Sequence, residues 1–252
     1  MIATTVLATL VAFQAAAPLP QNAALVYSGI PGIVPGGSSA EPPTSQVRMV
    51  SSDVDFELTK ATATVTSVTL FHNDSAKPVS VNLRLPVVAL NPVLGRGWDI
   101  AFKATLNGVP LKIGPLQSGT GINLDSTQQD AQAKVERFKS ATAVFGVKNT
   151  YALRVTYQVP MGKAGLDGML RLIAYETAGA TNWAGPMDRL NFTVHYGPGV
   201  VFHVSSAEPD WGWQIGHKGA FFKQDSFRPQ GDTLVRFVFY PGGFDKIGTI
   251  GE

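Results

Sequence analysis

Few side chains in this 252-residue sequence have the type and spacing to do chemistry, and the four histidines come first. His195 and His203 flank Gly197, Pro198 and Gly199. If that tripeptide closes a hairpin, both imidazoles fall on one sheet face, diagonal across the strand pair. A catalytic zinc normally takes three protein ligands, and Arg189, Asn191 and Thr193 on that face supply no good third. No metal site and no cofactor are therefore expected. Asp53, Asp55 and Glu57 alternate with Val54, Phe56 and Leu58, so they read as the outward side chains of a strand. Glu208 and Asp210 flank Pro209. Paired-carboxylate chemistry needs two acids facing each other across a cleft, and neither set signals one. The sequence has no G-x-S-x-G elbow, no S-x-x-K motif and no strand–helix–strand context for a hydrolase. Enzymatic activity is not expected.

Aromatic side chains make a better case for binding. Trp211 and Trp213 are two residues apart and share a face if extended, with Phe221 on the following strand. Flat pyranose faces stack on such rings, so these three residues are the candidate ligand platform. The competing reading puts both indoles in a core, where each buries about 150–250 Å²; Trp is usually well buried, which favours the core. A third indole is reserved for structure. "YETAGATNWAGPMDRLNFTV" (175–194) sets Trp183 on a loop between strand-like runs. Gly179 permits positive φ, Gly185 lets the chain turn tightly, Pro186 fixes φ, and Asn182 can bond the loop's own backbone. Asn182, Trp183, Gly185 and Pro186 are read as a loop anchor, with the indole as a plug on the core.

Composition narrows the class. A net charge of +2, with no basic stripe interleaved by aromatics, gives nucleic-acid binding little support. The absence of Cys removes disulfides, thiolate catalysis and cysteine-ligated zinc. Residues 1–40 carry no charge, and "MIATTVLATLVAFQAAAP" resembles a signal-peptide apolar region ending in small residues at Ala15 and Ala17. No basic residue precedes the run, and Pro18 follows it. It is short for a membrane span of roughly 20 residues. Residues 1–22 are read as a signal peptide and 23–46 as a Gly/Pro/Ser linker, leaving no transmembrane span in the mature chain.

The elements that must position these residues are strands. Val54, Phe56 and Leu58 share one face; so do Val79, Val81, Leu83 and Leu85; so do Tyr151, Leu153, Val155, Tyr157 and Val159; so do Leu190, Phe192, Val194 and Tyr196. Such period-2 runs belong to antiparallel sheets with one wet face. "ATATVTSVTLF" changes phase near Ser67, which predicts a bulge or a strand buried on both faces. Asn107–Gly108 predicts a two-residue hairpin, and 73–78 and 197–199 read as further hairpin loops. One short helix is expected where Ser126 and Gln129 form a capping box ahead of Ala131, Val135 and Phe138. The fold class is all-β: an antiparallel β-sandwich of two packed lobes with one short helix. The lobes are placed at 47–160 and 165–245, around "PMGKAGLDG".

Two segments carry a family resemblance. Ser52, Asp53 and Val54, then Phe71 and Asn73, then Leu85 and Pro86 resemble the opening of a family of bacterial secreted β-rich proteins of unknown function. Tyr175, Thr177, Gly179, Trp183, Gly185 and Pro186 resemble that family's Trp-x-Gly-Pro signature. The first segment is also distantly similar to the N-terminal sandwich domain of inter-α-trypsin-inhibitor heavy chains. The resemblance implies an exported β-rich protein with no assigned reaction and supplies no catalytic residues. The expected function is non-enzymatic: structural or binding interactions in the cell envelope or at the surface. The expected partner is an envelope protein or a polysaccharide, in the periplasm, on the cell surface or outside the cell. Two rivals are a carbohydrate-binding module using Trp211, Trp213 and Phe221, and a hydrolase whose site the sequence does not reveal.

Overall fold

Side-chain alternation every second residue builds almost the whole molecule. The structure is a computed structural model that describes residues 24–34, 46–90, 99–123, 134–165, 168–198, 200–227 and 234–241. In chain order the strands are β1 (Leu25–Gly29), β2 (Gly32–Ile33), β3 (Val47–Leu58), β4 (Thr62–Asn73), β5 (Val79–Leu90) and β6 (Lys103–Leu106). Then follow β7 (Val109–Pro110), β8 (Gln117–Asn123), β9 (Lys134–Phe145), β10 (Thr150–Pro160), β11 (Gly162–Ala164) and β12 (Leu170–Glu176). The chain continues through a 3-10 turn at Ala178–Asn182, β13 (Met187–Tyr196), β14 (Phe202–Glu208), β15 (Gln214–Gly216), β16 (Gly219–Phe227) and β17 (Leu234–Pro241).

These strands form two sheets packed face to face. The nine-stranded sheet runs β14-β17-β12-β1-β5-β9-β8, with β11 added to β12 and β2 to β5; the eight-stranded sheet runs β15-β16-β13-β3-β4-β10-β6-β7. The fold is therefore an all-β sandwich. Most pairings are antiparallel, but β3 pairs β13 in parallel, and so does β1 with β12. Those two parallel seams join strands from before and after the 160–168 boundary, so both sheets run without a break through the two sequence blocks.

Between the sheets lies a core of aromatic side chains. Phe56, Phe71, Phe145, Tyr175, Phe192, Phe237 and Phe239 are all fully buried there. Phe56 meets Tyr175 edge-on at 6.1 Å, and Tyr175 meets Phe192 edge-on at 5.6 Å, the geometry that aligns ring edge with ring face. A second buried cluster, including Leu25, Tyr27, Val88, Leu172 and Val238, occupies the opposite face of the nine-stranded sheet. Strands β1 and β12 are thus buried on both faces, which explains their runs of consecutive apolar residues.

Four expectations are corrected. First, β9 occupies the last part of the predicted helix: Val135 and Phe138 lie in a strand that pairs with β5 over its full length, while Ser126, Gln129 and Ala131 lie outside the described residues. Tertiary pairing overrides a local 3.6-residue pattern there. Second, residues 25–33 are not linker. They form β1 and β2, and Gly29 is there for contact: a Cβ would lie 2.1 Å from the Glu176 carbonyl oxygen. The signal-peptide reading of 1–22, and half of the linker, fall outside the described residues.

Third, β4 has no phase change at Ser67. Ala63, Val65, Ser67, Thr69 and Phe71 all face inward, and the register shift sits in β3 between Met49 and Ser51. Ser67 and Thr69 are polar yet buried; Thr69 shares a 3.1 Å hydrogen bond with Ser52. Fourth, residues 73–78 and 197–199 do not close hairpins. Each carries the chain from one sheet to the other, since β4 and β13 lie in the eight-stranded sheet while β5 and β14 lie in the nine-stranded one. The Asn107–Gly108 turn is a hairpin as expected, with φ of 49° and 81°, joining β6 to β7.

Candidate functional site

The outer face of the eight-stranded sheet gathers side chains that sequence scatters over more than 160 positions. Register defines three neighbouring rows. One row reads Lys223, Asn191, Asp53, Val68, Arg154 from β16 to β10. The next reads Phe221, Thr193, Asp55, Thr66, Thr156. The third reads His195, Glu57, Thr64, Gln158. Alternation along β3 puts Val54, Phe56 and Leu58 into the core, which obliges Asp53, Asp55 and Glu57 to share this outer face.

Most of these side chains, though not Lys223, Thr156 or Gln158, line a groove of about 570 Å³, bounded by Asp53, Asp55, Glu57, Arg154, His195 and Phe221 among others. A second hollow of about 580 Å³ continues it past Thr193, His195 and Phe221 toward Gln214–Lys218 at the sheet edge. Phe221 sits where the two meet, 37% exposed, an aromatic face held open to solvent on a strand.

Hydrogen bonds hold much of the groove's charge in place. Asp53 accepts from the Asn191 side-chain amide and from Arg189 at 3.3 Å. Asp55 lies 3.5 Å from His195 Nε2. Thr66 and Thr156 share a 3.4 Å bond on the adjoining strands. Glu57 and Arg154 are exposed, and neither has an ion-pair partner among the described residues. The face thus presents fixed acceptors, a guanidinium fork, hydroxyls and one ring. Among the described residues no group of three or more His, Asp or Glu side chains is placed to hold a metal ion.

The structure divides the platform expected from sequence. Trp211 and Trp213 do lie together, stacked at 6.4 Å with 12° between planes, and both are half-buried, packed against the rim of the core. Trp211 packs 4.8 Å from Phe222, and Trp213 packs 4.6 Å from Phe237 while its Nε1 donates to the Pro209 carbonyl at 2.8 Å. Phe221 points the other way: its neighbour Phe222 is buried against the indoles, so Phe221 must face outward. His195 and His203 are also separated, one in each sheet, with β14 pairing β17 instead of β13.

Trp183 is buried at 4% and packs 4.3 Å from Phe71 and 6.2 Å from Phe145. Asn182 Oδ1 accepts from the Ile33 amide at 3.4 Å, across chain segments rather than within its own loop. Gly185 takes a positive φ of 69°, but Gly179 does not; a Cβ on Gly179 would lie 2.0 Å from the Ile30 carbonyl oxygen, so it is a contact glycine. Pro186 leads directly into β13.

Beneath the groove, two tyrosines end in the buried interior. Tyr157 and Tyr175 are buried, and neither hydroxyl makes a well-formed hydrogen bond, although Ser28 and Ser67 stand beside them. Burial pushes both phenols above their ordinary range, and Tyr175 adds to the effect on Tyr157.

Sequence reasoning saw the acids only as a strand's outward teeth. What it missed is the parallel β3·β13 seam, which sets Asn191, Thr193 and His195 beside them. The His195 alternation with Phe192 and Val194 marked an outer face, but nothing local named its neighbour.

No protein-family model matches the sequence, and no curated protein does. Solved structures do resemble the fold. A Legionella pneumophila protein described as a candidate nutrient binding protein superposes with a TM-score of 0.62 at 11% identity, over 85% of this chain and 71% of its own. A Deinococcus radiodurans M1 zinc metallopeptidase gives 0.37 at 10% identity, over 77% of this chain and 42% of its own. Yeast LTA4 hydrolase gives 0.34 at 7% identity, over 83% and 31%. The first likeness shows the sandwich fold; the other two are too loose to carry an argument.

Proposed function

We propose that this chain is an exported, non-enzymatic binding protein that engages a partner of the bacterial envelope or cell surface through the outer face of its eight-stranded sheet. The observation that carries the reading is the groove itself: acids, a guanidinium, hydroxyls and an exposed phenyl ring on rigid, mutually paired strands. Side chains fixed on strands hold a recognition pattern at low entropic cost. Asp53 and Asp55 are already engaged by Asn191, Arg189 and His195, which suits stationary hydrogen-bond acceptors. The binding role assigned to the Legionella protein of the same fold supports the reading. Export is supported by the charge-free apolar start. Membership of the secreted family with the Trp-x-Gly-Pro signature belongs to the same proposal. The binding face moves from Trp211 and Trp213 to the far side of the same sheet.

Biolayer interferometry tests it, with wild type, the double variant Arg154→Glu/Phe221→Glu and the control Val109→Glu presented to envelope polysaccharide and protein fractions. Wild type and the control should bind one fraction alike, the double variant should not, all three should melt together, and the captured ligand should keep its mass. Equal binding by all three, or turnover of the ligand, contradicts the proposal.

A further inference from the structure

We infer that the groove takes a neutral oligosaccharide lying across the strands with one ring against Phe221. This rests on the binding face proposed above and adds the chemistry of its ligand. Four kinds of ligand are compatible with an open sheet face, and the lining separates them.

An anionic ligand meets Asp53, Asp55 and Glu57 on the central strand, with Arg154 as the one guanidinium lining the groove. Like charges at such range repel, and the repulsion is strongest where the groove is deepest in protein. A cationic peptide needs uncommitted carboxylates. Asp53 already holds Arg189 and Asn191, and Asp55 faces His195, which leaves Glu57 alone. An apolar ligand finds Phe221, Val68 and, in the adjoining hollow, the exposed Ile215, but across the groove it would strand Asp55, Glu57 and Arg154 without water.

A sugar chain matches each group. Its hydroxyls both donate and accept, so they satisfy Glu57 as acceptor, Arg154 as donor, and Thr64, Thr66 and Thr193 as either. The apolar face of a pyranose covers the exposed ring of Phe221 without asking for charge. Length agrees as well. From β16 to β10 the groove crosses four interstrand steps of about 4.8 Å, roughly 19 Å in all. That span suits a short oligosaccharide and leaves a monosaccharide in contact with only one end.

Amide NMR titration of the full chain reads the ligand directly. The probes are hexasaccharides derived from cellulose, laminarin, mannan and chitin, an oligogalacturonate as the anionic arm, and tetralysine as the cationic arm. At least one neutral hexasaccharide should shift the amides of Phe221, Thr193, Asp55 and Thr66. Phe221→Ala and Glu57→Gln should each weaken it about tenfold, while Val109→Glu leaves it unchanged. If only oligogalacturonate or tetralysine shifts these amides, the neutral-sugar inference falls and the binding face stands. If no neutral sugar shifts them the inference also falls. If, in addition, envelope fractions bind wild type and the Arg154→Glu/Phe221→Glu variant equally, the face itself falls with it.

Discussion

Trp183 donates a 2.8 Å hydrogen bond from its indole nitrogen to the carbonyl oxygen of Pro31, 152 residues earlier in the chain. The bond ties the crossover after β12 to the short segment between β1 and β2, and the indole body seals the core against Phe71 and Phe145. A loop rich in turn residues is thereby fixed at both levels, by packing and by a buried donor that finds an acceptor.

Removing that plug should be expensive. Trp183→Ala is expected to cost about 3–5 kcal/mol, as deletion of a buried aromatic does. Trp183→Phe keeps much of the packing but orphans the Pro31 carbonyl, and should cost less. Urea unfolding measures both; a loss under about 1 kcal/mol for the alanine variant would remove Trp183 from its role as anchor.

Asn73 holds the same end of the sandwich closed, two residues along β4 from the Phe71 ring that Trp183 covers. Its side-chain amide lies within hydrogen-bond reach of the carbonyls of Lys77, Phe145 and Gly146, and its Oδ1 accepts from the Ser75 amide, all from a fully buried position. Asn73→Ala leaves several of those groups unpaired and should destabilise by more than about 2 kcal/mol. Asn73→Asp loses the donors and should be no better. Thermal melts of the two variants that overlay on wild type would contradict this assignment.

The buried phenols make a prediction about alkali. Tyr157 and Tyr175 have folded-state pKa values raised by burial above the unfolded value of about 10. A raised folded pKa means the stability is fully present below that unfolded value and is lost as pH climbs past it through the raised folded range. Urea midpoints should therefore hold at about pH 8 and fall by about pH 11, and the Tyr157→Phe/Tyr175→Phe variant should fall less. Near neutrality, Tyr175→Phe alone should change stability by less than about 1 kcal/mol, because its hydroxyl has no well-formed bond to lose. A larger loss at neutral pH would show that the hydroxyl is satisfied.

Much of the sandwich was written in local alternation. Val54, Phe56 and Leu58, and likewise Leu190, Phe192 and Val194, face the core as their spacing demands. Asn107–Gly108 was legible because positive φ at both positions is a local requirement. What failed was non-local. Val135 and Phe138 satisfy a helical period, yet twelve residues of β5 pair with that strand. Gly29 and Gly179 read as flexible punctuation, whereas each marks a place where two backbones nearly touch. The groove was hidden for the same reason. Each of its acids obeys the rule for an outward side chain, and only the sheet order shows that Asp53, Asp55 and Glu57 stand between Thr66 and Arg154 on one side and Asn191 and His195 on the other.

The most direct test of the binding face is carbodiimide labelling of carboxylates, read by mass spectrometry with and without a saturating envelope ligand. The account predicts that Asp55 and Glu57 on β3 lose most of their labelling in the complex, while the exposed Asp188 and Asp210 away from the groove keep theirs. Unchanged labelling of Asp55 and Glu57 in a protein shown to have bound its ligand would contradict it and move the site elsewhere.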